Sequence, residues 1–423
     1  MFKSLFRNMA LCLSLIVAAV SVPFTAAAAA APISVVLDGE KLSFDVPPQV
    51  IGGATMIPYS ALTKKLGATL SSDPKTKKLK VTRGKTTVEL TVGSTQATVN
   101  GQSVKLDAKA VEKNGRTLVP LRFLGEAFGL WVNWNGSTKT VTLESKRTIE
   151  HAMGTTTLTS VPKRVVVLFN GMVDVSLTIG VKPVGAVESW IQQPWYNYLR
   201  ADMGGVKSLG SELQPNLEAI VALKPDLIIG AKTRHEKIYS QLSAIAPTIF
   251  ASELFGWKDN MAMAAKALNK EDQSTAFMND WNKRVADFKS KLGSRANMEV
   301  SLVRFQEDSS ARIYVTGFAG SIMQELGLKR PKAQQLDGKV IIDLDSQEQI
   351  PLMDGDIIFD ITSSLGTGEL EAQQEWQQNP LWKNLKGVKN GKYYRVNEIT
   401  WNMSGGATAA KMMLDDLYFY FDM

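Results

Sequence analysis

The sequence predicts an α/β protein with two lobes, preceded by a small β-rich α+β domain that contains a duplication. Three observations indicate this architecture. Residues 210–250 alternate amphipathic helices with a short apolar strand at 226–230, as parallel sheets covered on both faces do. A second group of apolar strand-like runs begins at Val300, beyond a long helical stretch. Within residues 32–146, Ile57-Pro58 recurs as Val119-Pro120, 62 positions later.

The first 31 residues have the features of a secretory signal peptide. Lys3 and Arg7 precede an apolar stretch that runs through Val20, and the tract Ala26–Ala31 offers cleavage sites. The single cysteine, Cys12, lies inside the apolar stretch, so we expect it to be removed with the leader and not to carry a lipid. The mature protein is therefore expected in the cell envelope outside the cytoplasm, where nucleic acid is an improbable partner.

Residues 32–146, here called the N-terminal region, contain an internal repeat in constant register. Each copy is predicted to form a strand with a turn, a short helix and a hairpin. Trp131, Trp134 and Phe128 are expected to fill a small core. The matching pairs are Asp38-Gly39 with Asn100-Gly101, Ile57-Pro58 with Val119-Pro120, Gly67 with Gly129, Asp73 with Asn135, and Lys77 with Lys139.

The net positive charge of the chain is concentrated in the N-terminal region. This region has 16 Lys and Arg against 9 Asp and Glu, whereas residues 147–423 have 30 against 32. A solvated hairpin face and an attraction to an anionic wall polymer both explain this excess. The basic side chains cluster at Lys75, Lys77, Lys78, Lys80, Arg83 and Lys85.

Residues 147–423, here called the binding region, are predicted to form a lobe at about 160–257, a connecting helix at about 258–293 and a second lobe at about 297–423. The first lobe opens with the apolar strand Val165–Phe169. The helix has one buried face, formed by Phe277, Trp281, Val285, Phe288 and Leu292 at helical spacing. The second lobe contains the predicted strands 300–303, 312–315 and 356–359.

The sequence does not favour an enzyme or a bound metal ion. The chain has only two histidines, His151 and His235, and no nucleophile-elbow sequence. With Cys12 removed, no thiol is left to bind zinc or an iron–sulfur cluster. We therefore expect no catalytic residues and no metal ligands.

Arginines and aromatic residues follow several predicted strands of the binding region. Each tryptophan is also compatible with a core position, and Arg312 with a surface ion pair. Together they predict a cleft in which a ligand stacks on rings and accepts hydrogen bonds, as an anionic, oxygen-rich chelate does. The candidate ligand contacts are Trp190, Trp195, Tyr196, Arg234, Arg304, Arg312, Tyr314, Trp401 and Asn402.

Two families are indicated by longer motifs. GRTLVPLRFLGEAFGLWVNWNGSTKTVTL resembles the copper amine oxidase N-terminal-like domain, although no histidine or cysteine is present there to bind copper. PKRVVVL, QPNLEAIVALKPDLIIGAKTR, RIYVTG, LWKNLKGVKNGKYY and ITWNMSGG resemble iron–siderophore substrate-binding proteins of ABC importers.

The second resemblance implies a monomeric protein with the class III, helical-backbone fold and no intrinsic cofactor. Its ligand is a ferric siderophore, which itself holds the iron, of the hydroxamate or citrate-hydroxamate type. The implied membrane partner is a FecCD-type ABC permease, contacted through Glu218 and Glu348. Both glutamates also fit a helix N-terminus, where a carboxylate is favoured without any partner.

One residue departs from the resemblance. Many hydroxamate- or citrate-binding relatives have a basic residue where this chain has Glu212, which puts a citrate-type ligand in doubt. Two alternatives also stay open at this point: a heme- or corrinoid-binding protein with His235, Tyr or Met residues as axial ligands, and a wall-associated adhesion protein without a transport role.

Overall fold

The computed structural model describes residues 32–336, 338–363 and 367–423. The predicted leader, with Cys12, lies outside these residues. The N-terminal region contains the strands β1 (Ser34–Leu37), β2 (Glu40–Lys41), β3 (Gln49–Ile51), β4 (Ala54–Pro58), β5 (Thr69–Asp73), β6 (Lys78–Arg83), β7 (Thr86–Thr91), β8 (Gln96–Val99), β9 (Gln102–Lys105), β10 (Val111–Lys113), β11 (Arg116–Pro120), β12 (Trp131–Asn135) and β13 (Thr140–Glu144). Its helices are α1 (Tyr59–Lys65) and α2 (Leu121–Ala127).

The predicted repeat is confirmed in the order and bounds of these elements. Strand β4, helix α1 and strand β5 recur as β11, α2 and β12 with the same offset. The two copies interlock, because β1 of the first copy pairs in parallel with β13 of the second and β4 pairs with β11. The predicted turns also form: the Asp73 carboxylate accepts from the Lys75 amide at 2.9 Å, and the Asn135 amide oxygen accepts from the Ser137 amide at 3.1 Å.

The first lobe of the binding region is a parallel sheet with the strand order β18-β17-β16-β19-β20. Every residue of β16, β19 and β20 is buried, as expected for strands covered on both faces. Its elements are β14 (Arg147–His151), β15 (Gly154–Leu158), β16 (Val165–Val167), α3 (Asn170–Thr178), β17 (Gly185–Ala186), β18 (Lys207–Ser208), α4 (Leu217–Ala222), β19 (Leu227–Ala231), α5 (Lys232–His235), α6 (Tyr239–Ile245) and β20 (Thr248–Ala251).

The connection between the lobes is not the single helix that the sequence pattern predicts. It consists of α7 (Trp257–Leu268) and α8 (Glu271–Leu292). Asn269 separates them in the left-handed conformation, with φ of 56°, which asparagine adopts more readily than most residues. The predicted stripe from Phe277 to Leu292 lies entirely within α8, so it does not report on the chain before Glu271.

The second lobe is a mixed sheet with the strand order β23-β22-β21-β24-β25. None of the described helices is both long and apolar enough to span a membrane. The lobe contains β21 (Val300–Phe305), β22 (Ala311–Tyr314), α9 (Gly317–Glu325), β23 (Ile341–Leu344), β24 (Ile357–Asp360), α10 (Thr367–Gln378), α11 (Pro380–Asn384), α12 (Lys386–Lys389), β25 (Tyr393–Arg395), a π-helical turn (Ile399–Met403) and α13 (Ala407–Tyr420).

The N-terminal region is docked on the break between α7 and α8. Trp131, expected in the core of its own region, is fully buried among binding-region residues and donates a hydrogen bond to the Ala267 carbonyl at 3.3 Å. The Asn269 side chain accepts from the Val132 amide at 3.1 Å. Phe128 does lie in the N-terminal core, whereas Trp134 is 41% exposed. The boundary predicted at residue 146 stays a prediction.

Arg147 reinforces this contact from the first position of β14. Its side chain is only 6% exposed and forms ion pairs with Glu144 at 2.7 Å and Glu271 at 2.5 Å. It also donates to the Lys266 carbonyl at 2.7 Å, and its guanidinium lies 5.4 Å from the centre of the Trp131 ring. A buried arginine is costly unless it is paired, so the contact between the regions is specific.

Candidate ligand-binding cleft

A cleft of about 300 Å³ lies between the two lobes, within the size range of small-molecule sites. Both lobes contribute to it. The first lobe supplies Phe169, Asn170, Gly171, Trp190, Glu212, Arg234, Leu254 and Phe255, and the second supplies Arg304, Asn402, Met403 and Ser404.

Arg234 reaches the cleft because it lies on α5, directly after the buried strand β19. The sequence pattern predicts a loop at this position, and the structure forms one helical turn instead. The Arg234 Nε donates to Oε1 of Glu212 at 3.2 Å. Its guanidinium lies 6.0 Å from the centre of the Trp190 ring, which is 40% exposed. Trp190 and Arg234 thus form one wall of the cleft, as predicted from their strand-end positions.

Glu212 is the most highly connected side chain of the cleft. It is 4% exposed, and its Oε2 accepts from the backbone amide of Asn170 at 2.9 Å and from the Asn170 side chain at 2.8 Å. Asn170 is the first residue of α3, where a negative charge is favoured. Glu212 therefore links the start of α3 to α5 and partly neutralises Arg234.

His235 supports this arrangement by contacting the backbone of both Ala231 and Glu212. It is fully buried; its Nδ1 accepts from the Ala231 amide at 3.1 Å and its Nε2 lies 2.8 Å from the Glu212 carbonyl. This geometry requires the neutral tautomer with the proton on Nε2. Burial lowers the pKa of His235 below its ordinary value of 6.5, consistent with a neutral ring. With both ring nitrogens engaged, His235 does not line the cleft, so the structure does not favour the alternative in which it is an axial heme ligand.

Arg304 forms the opposite wall. It lies inside β21, directly opposite Arg312 of β22, and pairs with Glu369 at 2.8 Å. Burial acts to lower the pKa of Arg304, but the Tyr314 phenol and the Glu369 carboxylate outweigh it and raise that pKa. The Arg304 Nε is buried and has no hydrogen-bond partner among the described residues.

Arg312 and Tyr314 share a strand face with Arg304 but do not line the cleft. Arg312 forms an exposed ion pair with Asp343 at 2.9 Å. This hydrogen bond raises the pKa of Arg312 above its ordinary value. Tyr314 is half-buried beside Arg304. The sequence correctly predicts that Arg312 and Tyr314 lie on the same face of the strand. It does not show that the cleft extends only as far as Arg304.

Three predicted aromatic contacts are buried and do not line the cleft. Trp401 is fully buried against Phe359 and donates to Asp416 at 2.7 Å, while its neighbour Asn402 faces the cleft. Trp195 is 9% and Tyr196 1% exposed, and both belong to the core of the binding region. Burial raises the pKa of Tyr196 far above its ordinary value.

The cleft residues of the second lobe are fixed by a buried carboxylate of the first. Asp174, on α3, accepts from the amides of Thr408 and Ala409 at 2.7 and 3.0 Å, which caps the start of α13. It also accepts from the Tyr198 hydroxyl at 2.6 Å. A Cβ on Gly171 would lie 2.9 Å from the Gly405 carbonyl oxygen, so only glycine permits α3 to approach the segment after Asn402 this closely.

Several cleft residues are absent from the sequence-based prediction. Phe169 and Asn170 follow β16, so their strand-end position was a usable signal. Leu254, Phe255 and Met403 lie in loops or in the π-helical turn, where no periodicity distinguishes them. The sequence distinguishes Glu212 only as an acidic residue where many relatives have a basic one.

Glu218 and Glu348 are both exposed and lie in the first turn of a helix, as predicted. Glu218 is the second residue of α4, whose N-cap Asn216 accepts from the Ala219 amide at 2.9 Å. Glu348 is the second residue of the 3₁₀ turn Gln347–Met353, which carries a capping box at Ser346. The described residues contain no cluster of three or more His, Cys, Asp or Glu side chains that could hold a metal ion.

Comparison with protein families gives two matches. The copper amine oxidase N-terminal domain model matches residues 36–143, and the periplasmic binding protein model matches residues 165–400. The second match spans more than half of the chain.

Relatives and solved structures agree with the second match. The probable siderophore-binding lipoprotein YfiY of Bacillus subtilis is 45% identical over 296 residues, covering 68% of this chain and 91% of YfiY. The Fe(3+)-citrate-binding protein YfmC of the same organism is 35% identical over 295 residues, covering 68% of this chain and 90% of YfmC. SirA of Staphylococcus aureus, solved with staphyloferrin B, is 42% identical with a TM-score of 0.62, covering 65% of this chain and 98% of SirA.

These relatives bear on localisation as well as on family. The match to the periplasmic binding protein family agrees with the predicted location outside the cytoplasm, but YfiY is named a lipoprotein. This runs against the expectation that the present chain carries no lipid, which we do not retain. The chain belongs to the periplasmic binding protein family, as a non-enzymatic siderophore-binding component of an ABC importer with a copper amine oxidase N-terminal domain.

Proposed function

We propose that the protein captures a ferric siderophore of low net charge, of the hydroxamate or citrate-hydroxamate type, and delivers it to an ABC permease. The observation that supports this most directly is the pairing of both cleft arginines with carboxylates. Arg234 pairs with Glu212 and Arg304 with Glu369. The cleft therefore offers directed hydrogen-bond donors with little excess positive charge.

The charge of the ferric complex distinguishes siderophore classes. Three singly charged hydroxamates neutralise a ferric ion, whereas three catecholates leave a net negative charge. A strongly anionic complex needs cations to replace the water that it loses on binding. Because Glu212 is nearly buried, its negative charge is screened little by solvent and acts against such a ligand. A neutral or weakly charged complex is not subject to this penalty.

We propose that Trp190, Arg234, Arg304 and Asn402 contact the ligand. Trp190 supplies a half-exposed ring for stacking, and the arginines donate to the oxygens of the siderophore. Ligand oxygens also offer the acceptor that the Arg304 Nε lacks among the described residues. YfmC is named for Fe(3+)-citrate and SirA was solved with staphyloferrin B, so relatives differ in ligand and the ligand class of this chain depends on its own cleft residues.

Tryptophan fluorescence titration tests this proposal. Ferric complexes of a tris-hydroxamate, a citrate-hydroxamate, citrate and a tris-catecholate are added to the mature protein. We expect quenching by the first two and loss of most of the signal in Trp190→Phe. Exclusive binding of the tris-catecholate complex would contradict the low-charge proposal, and binding of none of the ferric complexes would favour the adhesion alternative.

Glu212→Gln is the matched variant, since it removes the charge and keeps the shape. We expect the ratio of the affinities for ferric citrate and ferric tris-hydroxamate to rise by about tenfold, the equivalent of about 1.4 kcal/mol. An unchanged ratio would show that Glu212 positions Asn170 and Arg234 without selecting ligand charge.

Glu218 and Glu348 are proposed as contacts to basic residues of the permease, one from each lobe. The motif positions support this role, and so does the exposure of both side chains. Glu218→Lys and Glu348→Lys should reduce uptake of ferric siderophore into cells while leaving its affinity for the purified protein unchanged. Glu150→Lys, also exposed on the first lobe, is the control. Normal uptake by the double variant would exclude the docking role.

The basic hairpin of the N-terminal region is proposed to attract an anionic wall polymer. Strand β6 and the turn that precedes it carry the exposed lysines Lys75, Lys77, Lys78 and Lys80. Replacing the first three with glutamate should reduce sedimentation with cell walls at low salt. If the lysines are only a solvated face, sedimentation will not change.

A further inference from the structure

A second cavity of about 390 Å³ lies in the seam between the N-terminal region and α8. It is separate from the siderophore cleft, shares no residue with it, and falls within the size range of small-molecule sites. Its principal lining residues are Val50, Asp107, Arg122, Val132, Trp134 and Asp272.

The fold of the repeat does not require a large side chain at the position of Trp134. Trp134 is 41% exposed, on the strand face opposite that of the docking residue Trp131. The corresponding position in the first copy of the repeat is Ser72, on the equivalent strand β5. The repeat therefore folds with a small polar residue at this position. At the edge of a cavity, the Trp134 ring offers a face on which a ligand can stack.

The charged side chains that line the cavity are two carboxylates, Asp107 and Asp272, and one guanidinium, Arg122. Asp107 is exposed and makes no hydrogen bond or ion pair with the described residues. Asp272 is 62% exposed and holds Arg122 at 2.9 Å, and the same arginine donates to the Val132 carbonyl at 3.2 Å. The only arginine of the cavity is thus already paired, so the site does not favour an anionic ligand.

We propose that this seam is a saccharide-binding site that holds a short, uncharged segment of an envelope polysaccharide. The apolar face of a sugar ring stacks on Trp134, and its hydroxyl groups donate to the free carboxylate of Asp107 and to Asp272. The amphipathic tryptophan ring and the acceptor-rich rim match the two faces of a sugar ring. This partner differs chemically from the anionic polymer proposed for the basic hairpin.

The site is assembled from both regions of the chain. Asp272 belongs to the first turn of α8, whereas Trp134, Asp107 and Arg122 belong to the N-terminal region. A polysaccharide bound there contacts both regions in their docked arrangement. Retention at the envelope would then orient the siderophore cleft as well as tether the protein.

Isothermal titration of the mature protein with N-acetylchitotriose, and sedimentation with peptidoglycan stripped of anionic polymers, test the proposal. Trp134→Ala should weaken both interactions roughly tenfold or more, as truncation of an aromatic anchor does. Asp107→Ala should weaken them to a smaller extent. Phe419→Ala, which removes an aromatic side chain that is 75% exposed on α13, is the matched control and should bind as the wild type does.

Each possible result of these experiments either supports or contradicts the saccharide site. A thermal unfolding profile like that of the wild type shows that a variant is folded, so weaker binding by Trp134→Ala but not by Phe419→Ala supports a saccharide site. Equal binding by both variants, or no binding by the wild type, overturns it. If Trp134→Ala instead converts a dimer to a monomer without affecting sugar binding, the seam is an interface between copies and the proposal fails.

Discussion

Replacing Trp131 with alanine is expected to release the N-terminal region from the binding region. Trp131 is fully buried, and its neighbours in the core include residues of the first lobe and of α7. The indole donates to the Ala267 carbonyl, one residue before the end of α7. Further contacts between the regions, through Arg147 and Asn269, lie beside this ring.

The magnitude follows from burial. Truncation of a buried tryptophan to alanine costs about 3–5 kcal/mol, which combines lost apolar burial with the cavity that remains. The lost hydrogen bond to Ala267 is part of this cost. Typical folding free energies are about 5–15 kcal/mol, so the loss is large enough to uncouple two cooperative units. We therefore expect the N-terminal region to unfold separately, at a lower temperature than the binding region.

Differential scanning calorimetry measures this directly. The wild type should unfold in one transition and Trp131→Ala in two. Trp134→Ala is a matched control three positions along the same strand, because its exposed ring should cost no more than about 0.5 kcal/mol. If Trp131→Ala retains a single transition at the temperature of the control, the docking contact contributes little and the reasoning from burial is wrong.

Three further predictions concern the binding region. Asp174→Ala should lower stability by about 2–4 kcal/mol in thermal or urea denaturation, because the start of α13 and Tyr198 lose a charged acceptor. Burial lowers the pKa of both His235 and His151, so their contribution to stability is complete above pH 6.5 and is lost as the pH falls through their folded-state pKa. Melting temperatures measured from pH 7 to 5 should fall accordingly, and less in His235→Gln. Arg304→Lys should weaken the ferric hydroxamate complex about tenfold in fluorescence titration, because lysine lacks the planar donor pair; unchanged affinity would remove Arg304 from the proposed site.

The fold was predictable wherever local pattern and tertiary environment agree. Strands β16 and β19 are apolar at every position because both faces are covered. The repeat was predictable because its turn residues and its Ile/Val-Pro entries recur in register. The break at Asn269 was missed because the apolar stripe used for the prediction begins at Phe277, although the polar run at residues 269–275 was a usable signal.

The site was predictable only in part, because position after a strand does not determine which way a side chain faces. Arg234 and Trp190 line the cleft as expected. Trp401 follows a strand as well, but the π-helical turn directs its ring into the core, where Asp416 accepts from the indole, and leaves Asn402 at the surface of the cleft. Such a one-residue difference depends on local backbone geometry that composition does not encode.

Glu212 shows how a departure from relatives gains meaning from the structure. In the sequence it signals only the loss of a donor. In the folded chain, its carboxylate accepts from the backbone and side chain of Asn170 and from Arg234, and its carbonyl oxygen lies beside His235. It therefore sets the charge of the cleft and positions the arginine that forms its wall. A substitution here will change ligand affinity through both effects; Glu212→Gln removes the charge, keeps the shape and retains one of the two acceptor oxygens, so it disturbs the position least.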